Sequence, residues 1–248
     1  MTDFLIFPEQ LSCRLLQMAE PLELDTAITA CSLNLDSVRH LTALKSLIPP
    51  VYLNGAQPSR LHEFFCGRAL AQAMLQQYYN DYARLSSYRE RLPQWPQGVQ
   101  GSISHSRHKL VVALSDRFNG LGVDIEHWVT ADFAQESAQL VLTEYEMALW
   151  QQGTMQGFSF CQYLTLIFSV KESLYKAVYG RARHYIDFLQ ASVCAIDLQA
   201  QQMSLQFCSP VQQRFGLYGH YYGYWSIKDH AILTWVTDDQ ARFLQHMS

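Results

Sequence analysis

Asp124 and Glu126 stand two residues apart in Gly-Val-Asp-Ile-Glu. On a strand, residues i and i+2 share a face, so both carboxylates project together while Val123 and Ile125 turn toward the core. Like charges this close repel unless a cation or proton intervenes. A solvated strand face or nearby arginines would answer the same need. Glu172 lies in Phe-Ser-Val-Lys-Glu-Ser-Leu-Tyr-Lys, where Leu164, Ile167, Phe168, Leu174, Tyr175 and Val178 keep helical spacing. Cys161, Thr165, Ser169, Glu172 and Lys176 make a second stripe on that helix. Three structural readings of Glu172 compete: a capping box with Ser169, an i,i+4 pair with Lys176, or a wet face. The periodicity does not break at Ser169, which leaves the pair with Lys176 as the simplest.

Other residues could handle an anion. Ser102-Ile103-Ser104-His105-Ser106 reads as a loop whose hydroxyls, imidazole and backbone N–H groups could bind phosphate. A serine hydrolase is disfavoured, because there is no G-x-S-x-G and adjacent residues seldom give a nucleophile and base their geometry. Arg68 shares a helical stripe with Leu61, Phe64, Ala71 and Leu75. A guanidinium starting from an apolar face needs an anionic partner, either an internal carboxylate or a bound phosphate. Arg60 and Arg91 have the spacing of ordinary exposed arginines.

These side chains need elements to position them. A strand is expected near residues 27–35, a loop around Pro49-Pro50 and Asn54-Gly55, and a helix over 60–79. Residues 81–101 hold Pro93 and Pro96 and read as an extended connection. Residues 109–115 and 121–126 read as strands of a hairpin turning at Asp116 to Gly120, where Asn-Gly tolerates positive φ. Helical segments follow over 134–150 and 158–179. Thr143 with Glu146 is a capping-box pattern, and Gly180 with Arg181 and Arg183 reads as a helix stop. The final quarter alternates, with a hairpin around Lys228-Asp229. Strand, helix, hairpin, helices and strands in rough halves make a mixed α+β pattern.

The 248 residues are 49% hydrophobic and only 16% charged, with a net charge of −4. Apolar and aromatic mass is ample to offset chain entropy, so disorder is excluded. No basic excess exists to release counterions from nucleic acid. The longest uncharged stretch, 147–170, carries four glutamines and two glycines, and its apolar part is only 13 residues. A bilayer needs about 20, so no membrane span is expected. The N-terminus lacks a basic region and a long apolar run, which argues against a signal peptide. Six cysteines without C-x-x-C pairing fit a reduced cytoplasm better than zinc or a disulfide framework.

Gly101-Ser-Ile-Ser-His-Ser, Gly122-Val-Asp-Ile-Glu and Phe168-Ser-Val-Lys-Glu-Ser-Leu-Tyr-Lys occur in this order. Together they resemble the three-part signature of 4′-phosphopantetheinyl transferases of the large surfactin-type class. Upstream, Arg60-Leu-His-Glu-Phe-Phe-Cys-Gly-Arg and Pro93-Gln-Trp-Pro-Gln-Gly resemble the branch containing enterobactin synthase component D enzymes. Phe168 replaces a tryptophan common in relatives. The resemblance runs from about Arg60 to Leu189.

It implies an α+β fold of two similar α/β halves related by a pseudo-twofold. The halves are residues 1–116, on the nucleotide side of coenzyme A, and 117–248, with the metal-binding and catalytic helix. It implies Mg²⁺ on Asp124, Glu126 and Glu172, and phosphate contacts from Ser104, His105 and Lys176. Arg60, Arg68 and Arg91 would serve the 3′-phosphate region, and Lys45 is a loose candidate before them. Glu144, in Leu-Thr-Glu-Tyr-Glu, matches the acid proposed as base in some relatives; it is equally a first-turn acid favourable to the helix dipole.

The implied reaction moves the phosphopantetheine arm of coenzyme A to a serine of an apo carrier protein, releasing adenosine 3′,5′-bisphosphate. The implied enzyme is a cytoplasmic monomer, and the branch suggests siderophore or other secondary-metabolite biosynthesis. The competing classes are a non-catalytic coenzyme A or carrier-binding protein and a Mg²⁺-dependent phosphoesterase.

Overall fold

Two antiparallel sheets organise the chain, and one long helix lies on each. The computed structural model describes residues 7–41, 44, 47, 53–80, 85 and 93–239. The chain divides into two compact units, Met1–Arg117 and Phe118–Ser248.

The first unit contains α1 (Glu9–Met18), β1 (Glu20–Leu22), β2 (Thr29–Asn34), α2 (Leu35–Val38), α3 (Pro58–Tyr79), β3 (Gln100–Ser106) and β4 (Lys109–Ser115). Its strands lie in the order β1-β2-β4-β3, all antiparallel. Pro58 opens α3, where its missing N–H costs nothing, and Asn80 closes it in the left-handed region at φ 49°. Every residue of α3 from Phe64 to Leu75 is buried, so this helix is enclosed rather than amphipathic. It packs on α1 and on β4 and β3. Gly67 permits the close approach to the sheet: a Cβ there would lie 3.0 Å from the Ile103 side chain.

The second unit contains β5 (Gly120–His127), α4 (Ala131–Val141), α5 (Glu144–Gln151), α6 (Phe160–Ala182), a 3₁₀ turn (Phe188–Gln190), β6 (Ala191–Asp197), β7 (Gln202–Phe207), α7 (Ser209–Phe215), β8 (Tyr221–Lys228) and β9 (Ala231–Asp238). The sheet order is β5-β9-β8-β7-β6, again antiparallel throughout. Ser159 with Gln162 caps α6 reciprocally, and Thr143 with Glu146 does the same for α5. Helix α6 lies across β5 and β9.

Several expectations change. The strands at 109–115 and 121–126 exist but do not pair: β4 joins β2 and β3, whereas β5 joins β9. The residues between them link the two units. A tight hairpin takes positive φ at one or both central residues, as at Asp229 (53°) and His230 (60°) between β8 and β9, and none of residues 116–119 has it. Asn119 instead donates its N–H to the Asp238 carbonyl (2.9 Å), which starts the pairing of β5 with β9. The true partner of β4 is β3, the segment expected as a loop, and their turn is Arg107-His108 with Arg107 at φ 53°.

The helix expected over 134–150 is two helices, α4 and α5, separated at the Thr143 cap. Helix α6 passes through Gly180 and ends at Ala182, with Arg183 left-handed at φ 46°. Arg181 Nη2 holds that last turn by donating to the Tyr221 hydroxyl (2.8 Å) and by an ion pair with Asp238 Oδ2 (2.8 Å).

Candidate active site

The seam between α6 and β5 is built by two glycines. A Cβ on Gly122 would overlap the Ser173 carbonyl, and one on Gly120 would overlap the carbonyl of Ala177. Only glycine lets the helix backbone sit this close to the strand. Closeness brings the polar stripe of α6 into reach of β5. Lys176 Nζ donates to Asp124 Oδ1 (2.7 Å) and to the Val123 carbonyl (3.0 Å). Ser169 donates to Asp124 Oδ2 at 2.9 Å.

Behind Ser169 lies a run of buried hydroxyls. Ser169 and Thr234 are 2.9 Å apart, Ser173 and Thr234 are 2.8 Å apart, and Ser173 donates to the Thr234 carbonyl (3.1 Å). Each hydroxyl has one proton. Those of Ser169 and Ser173 are committed, so the Thr234 hydroxyl donates to one of them.

Asp124 is therefore not on a solvated face. It is 3% exposed, and Val123 and Ile125 are buried on the face of the sheet that turns away from α6. The expected sharing of one face by Asp124 and Glu126 follows from strand alternation, with Glu126 half-buried one pleat further along. Glu172, on the helix, lies within electrostatic reach of Asp124 and Lys176. Burial raises its carboxyl above the ordinary 4.5; the Lys176 ammonium counters this and the Asp124 carboxylate adds to it. The three carboxylates supply hard oxygen donors on two adjoining elements, the chemistry a small divalent cation takes. Among the described residues no group of three His, Cys, Asp or Glu side chains already stands at metal-ligand spacing. Beside Glu172 opens a cavity lined by Tyr175, Tyr185, Ile186 and Phe188.

Glu144 is the first residue of α5 and is exposed, as either reading of it requires. Sequence reasoning missed its neighbour in structure, the ion pair of Glu146 with Lys171, at 2.7 Å and essentially fully buried. A signal existed. Lys171 falls on the apolar stripe with Leu164, Ile167, Leu174 and Val178, where a charge demands a partner.

In the first unit, Arg60 Nη1 donates to His105 Nε2, and the Glu63 carboxylate lies 3.6 Å from Arg60 and 3.5 Å from His105. Ser104 is on the opposite face of β3 from His105 and is buried, so the two side chains are not brought together. Arg68 is 5% exposed, and its guanidinium lies over the Phe64 ring, 5.3 Å from the centroid. Arg91 and Lys45 lie outside the described residues.

Comparison with protein families matches residues 49–115 to the 4′-phosphopantetheinyl transferase N-terminal domain and residues 120–234 to the 4′-phosphopantetheinyl transferase superfamily. The chain belongs to the 4′-phosphopantetheinyl transferase superfamily. Members similar to it include an enterobactin synthase component D of Escherichia coli O157:H7, 34% identical over 126 residues, covering 50% of this chain and 58% of the relative. That of Salmonella typhi is 37% identical over 92 residues, 37% of each chain. The 4′-phosphopantetheinyl transferase Svp of Streptomyces mobaraensis is 30% identical over 157 residues, 62% of each. The match thus spans less than two thirds of these members. A holo-ACP-synthase structure from Plasmodium yoelii aligns at 16% identity with a TM-score of 0.36, over 48% of this chain and 92% of its own, a likeness too loose to add weight. The superfamily assignment accords with the antiparallel α+β architecture, and no described helix is long and apolar enough to cross a membrane.

Proposed function

We propose that this chain transfers the 4′-phosphopantetheine arm of coenzyme A to a serine of an apo carrier protein. The observation that carries the reading is the α6–β5 seam, where a buried aspartate, a helix glutamate and a lysine are gathered within a superfamily member. In the reaction the carrier serine oxygen forms a bond to the phosphorus bearing the pantetheine arm. The pyrophosphate P–O bond breaks, and adenosine 3′,5′-bisphosphate leaves with the bond's electron pair.

Asp124, Glu126 and Glu172 would hold Mg²⁺, which supplies charge neutralisation to the pyrophosphate when bound. Lys176, anchored on Asp124 and one helical turn from Glu172, presents a cation to the same phosphates. Glu144 is the exposed carboxylate assigned to take the serine proton, directly or through a water. In the first unit Arg60, held on His105, is assigned to the nucleotide phosphates together with His105, Arg68 and Arg91; Ser104, buried on the opposite face of β3, is left out of that group. Six free cysteines accord with work in the cytoplasm. Siderophore or other secondary-metabolite carriers are the assigned partners, on the strength of the component D relatives.

The test is the intact mass of an apo carrier domain incubated with this protein, coenzyme A and Mg²⁺, beside an EDTA control. A phosphopantetheine-sized gain abolished by EDTA is expected. No gain across peptidyl, aryl and acyl carriers, with coenzyme A still bound, would replace the transferase by a binding protein.

A further inference from the structure

The proposed chemistry makes no use of the most deeply buried ion pair in the second unit. Side-chain exposure is 1% at Lys171 and 0% at Glu146. An ammonium has three N–H donors, and Lys171 uses all of them: on Glu146 Oε2 (2.7 Å), on the Val141 carbonyl (2.8 Å) and on that of Phe188 (3.0 Å). Glu146 in turn accepts the Val193 N–H on Oε1 (2.7 Å) and the Thr143 N–H on Oε2 (2.8 Å). The Tyr163 hydroxyl closes the network on the Glu146 carbonyl at 2.6 Å.

Five segments meet at this one pair: the end of α4, the start of α5, the middle of α6, the 3₁₀ turn and the first residues of β6. Three of them carry proposed site groups. Glu144 opens α5, Glu172 follows Lys171 on α6, and Phe188 walls the cavity beside Glu172. A buried ion pair contributes little net stability over an apolar pair of the same volume, because desolvation offsets attraction. What it gives is directional: each bond fixes one backbone group of a different segment.

We propose that Lys171 and Glu146 are a positioning pair that sets Glu144 and the Phe188 turn relative to Glu172. The inference rests on the phosphopantetheinyl-transfer reading for its catalytic consequence, and on the hydrogen-bond network for its geometry. The variants are Lys171→Met, which strands the Glu146 carboxylate, and Lys171→Met with Glu146→Gln, which removes both charges but keeps an acceptor for one N–H. Lys171→Met is expected to melt well below the parent, and the double variant to regain most of that loss. Its kcat for carrier modification is expected to stay down by about a hundredfold, with KM for coenzyme A within about twofold, because misplacement by about an ångström acts on turnover.

Hydrogen exchange at residues 141–147 and 188–193 is expected to quicken in the double variant while α6 stays protected. Recovery of melting temperature and kcat together would overturn the proposal and make the pair mere filling. Should the parent modify no carrier, the transfer reading fails by itself, and exchange decides the positioning: unchanged exchange at those segments sinks it. Should Lys171→Met not fold, the double variant carries the same readouts.

Discussion

The two long helices do the same architectural task with opposite chemistry. Helix α3 lies on its sheet through an apolar seam, with Gly67 facing the Ile103 side chain. Helix α6 lies on β5 and β9 through a polar seam of Ser169, Ser173 and Lys176, with glycines meeting the helix backbone itself. An apolar seam tolerates small shifts, because dispersion has no direction. A polar seam holds atoms in place, because each hydrogen bond does. The first unit accordingly keeps the Arg60 and His105 pair at its rim, where Arg60 is half exposed, and the second builds Asp124 into its interior.

The sharpest break of this comparison is a pair of glycine substitutions. Gly122→Ala forces a methyl into a helix carbonyl and is expected to cost about 4 kcal/mol or more, read from denaturant unfolding. Gly67→Ala meets only side-chain methyls, of Ile103 and Leu110, and alanine's helix preference of about 1 kcal/mol offsets the contact. Equal losses would show that the two seams do not differ.

Next come the carboxylates. Asp124→Asn is expected to fold and to lose about a hundred- to a thousandfold in transfer rate, measured by carrier mass. Retained activity would remove the metal assignment. Glu172→Gln separates stability from function. The folded Glu172 binds its proton more tightly than the unfolded one, so its contribution to stability is full at low pH and fades as pH rises through its raised value. The metal-free variant should melt above the parent at pH 7 to 8 and match it below the ordinary glutamate range, while transfer is lost.

A smaller effect is expected in the first unit. Arg60→Gln or His105→Gln should raise KM for coenzyme A by about tenfold with little change in melting temperature, since exposed charges contribute little to folding. The smallest is Thr234→Val, which leaves Ser173 its carbonyl acceptor and should cost about 1 kcal/mol. A larger loss, or a fall in transfer matching Asp124→Asn, would make the hydroxyl run part of the site.

Much of this was legible in the chain. Strand 109–115 follows from its apolar run, and the helix from Arg60 from a run of good helix formers. The cap at Thr143 could also be read, because it depends on neighbours within one element, whereas Asp124, Glu172 and Lys176 stood out only through three motifs taken together. The loop reading of residues 102–106 failed because Ser-Ile-Ser-His-Ser carries only one apolar residue to signal a strand, whereas pairing with β4 supplies the backbone bonds.

The sequence by itself determined which residue types lie three, four or two apart, and so which side chains share a face of one element. Only the tertiary structure decided what those faces meet. It separated β4 from β5, turned Ser104 away from His105, placed Lys176 on Asp124 as well as beside Glu172, and gave Lys171 to Glu146 across 25 residues. Periodicity is a property of a single helix or strand. Partnership depends on chain closure between segments, and hydrogen-bond direction selects it only after the segments have packed.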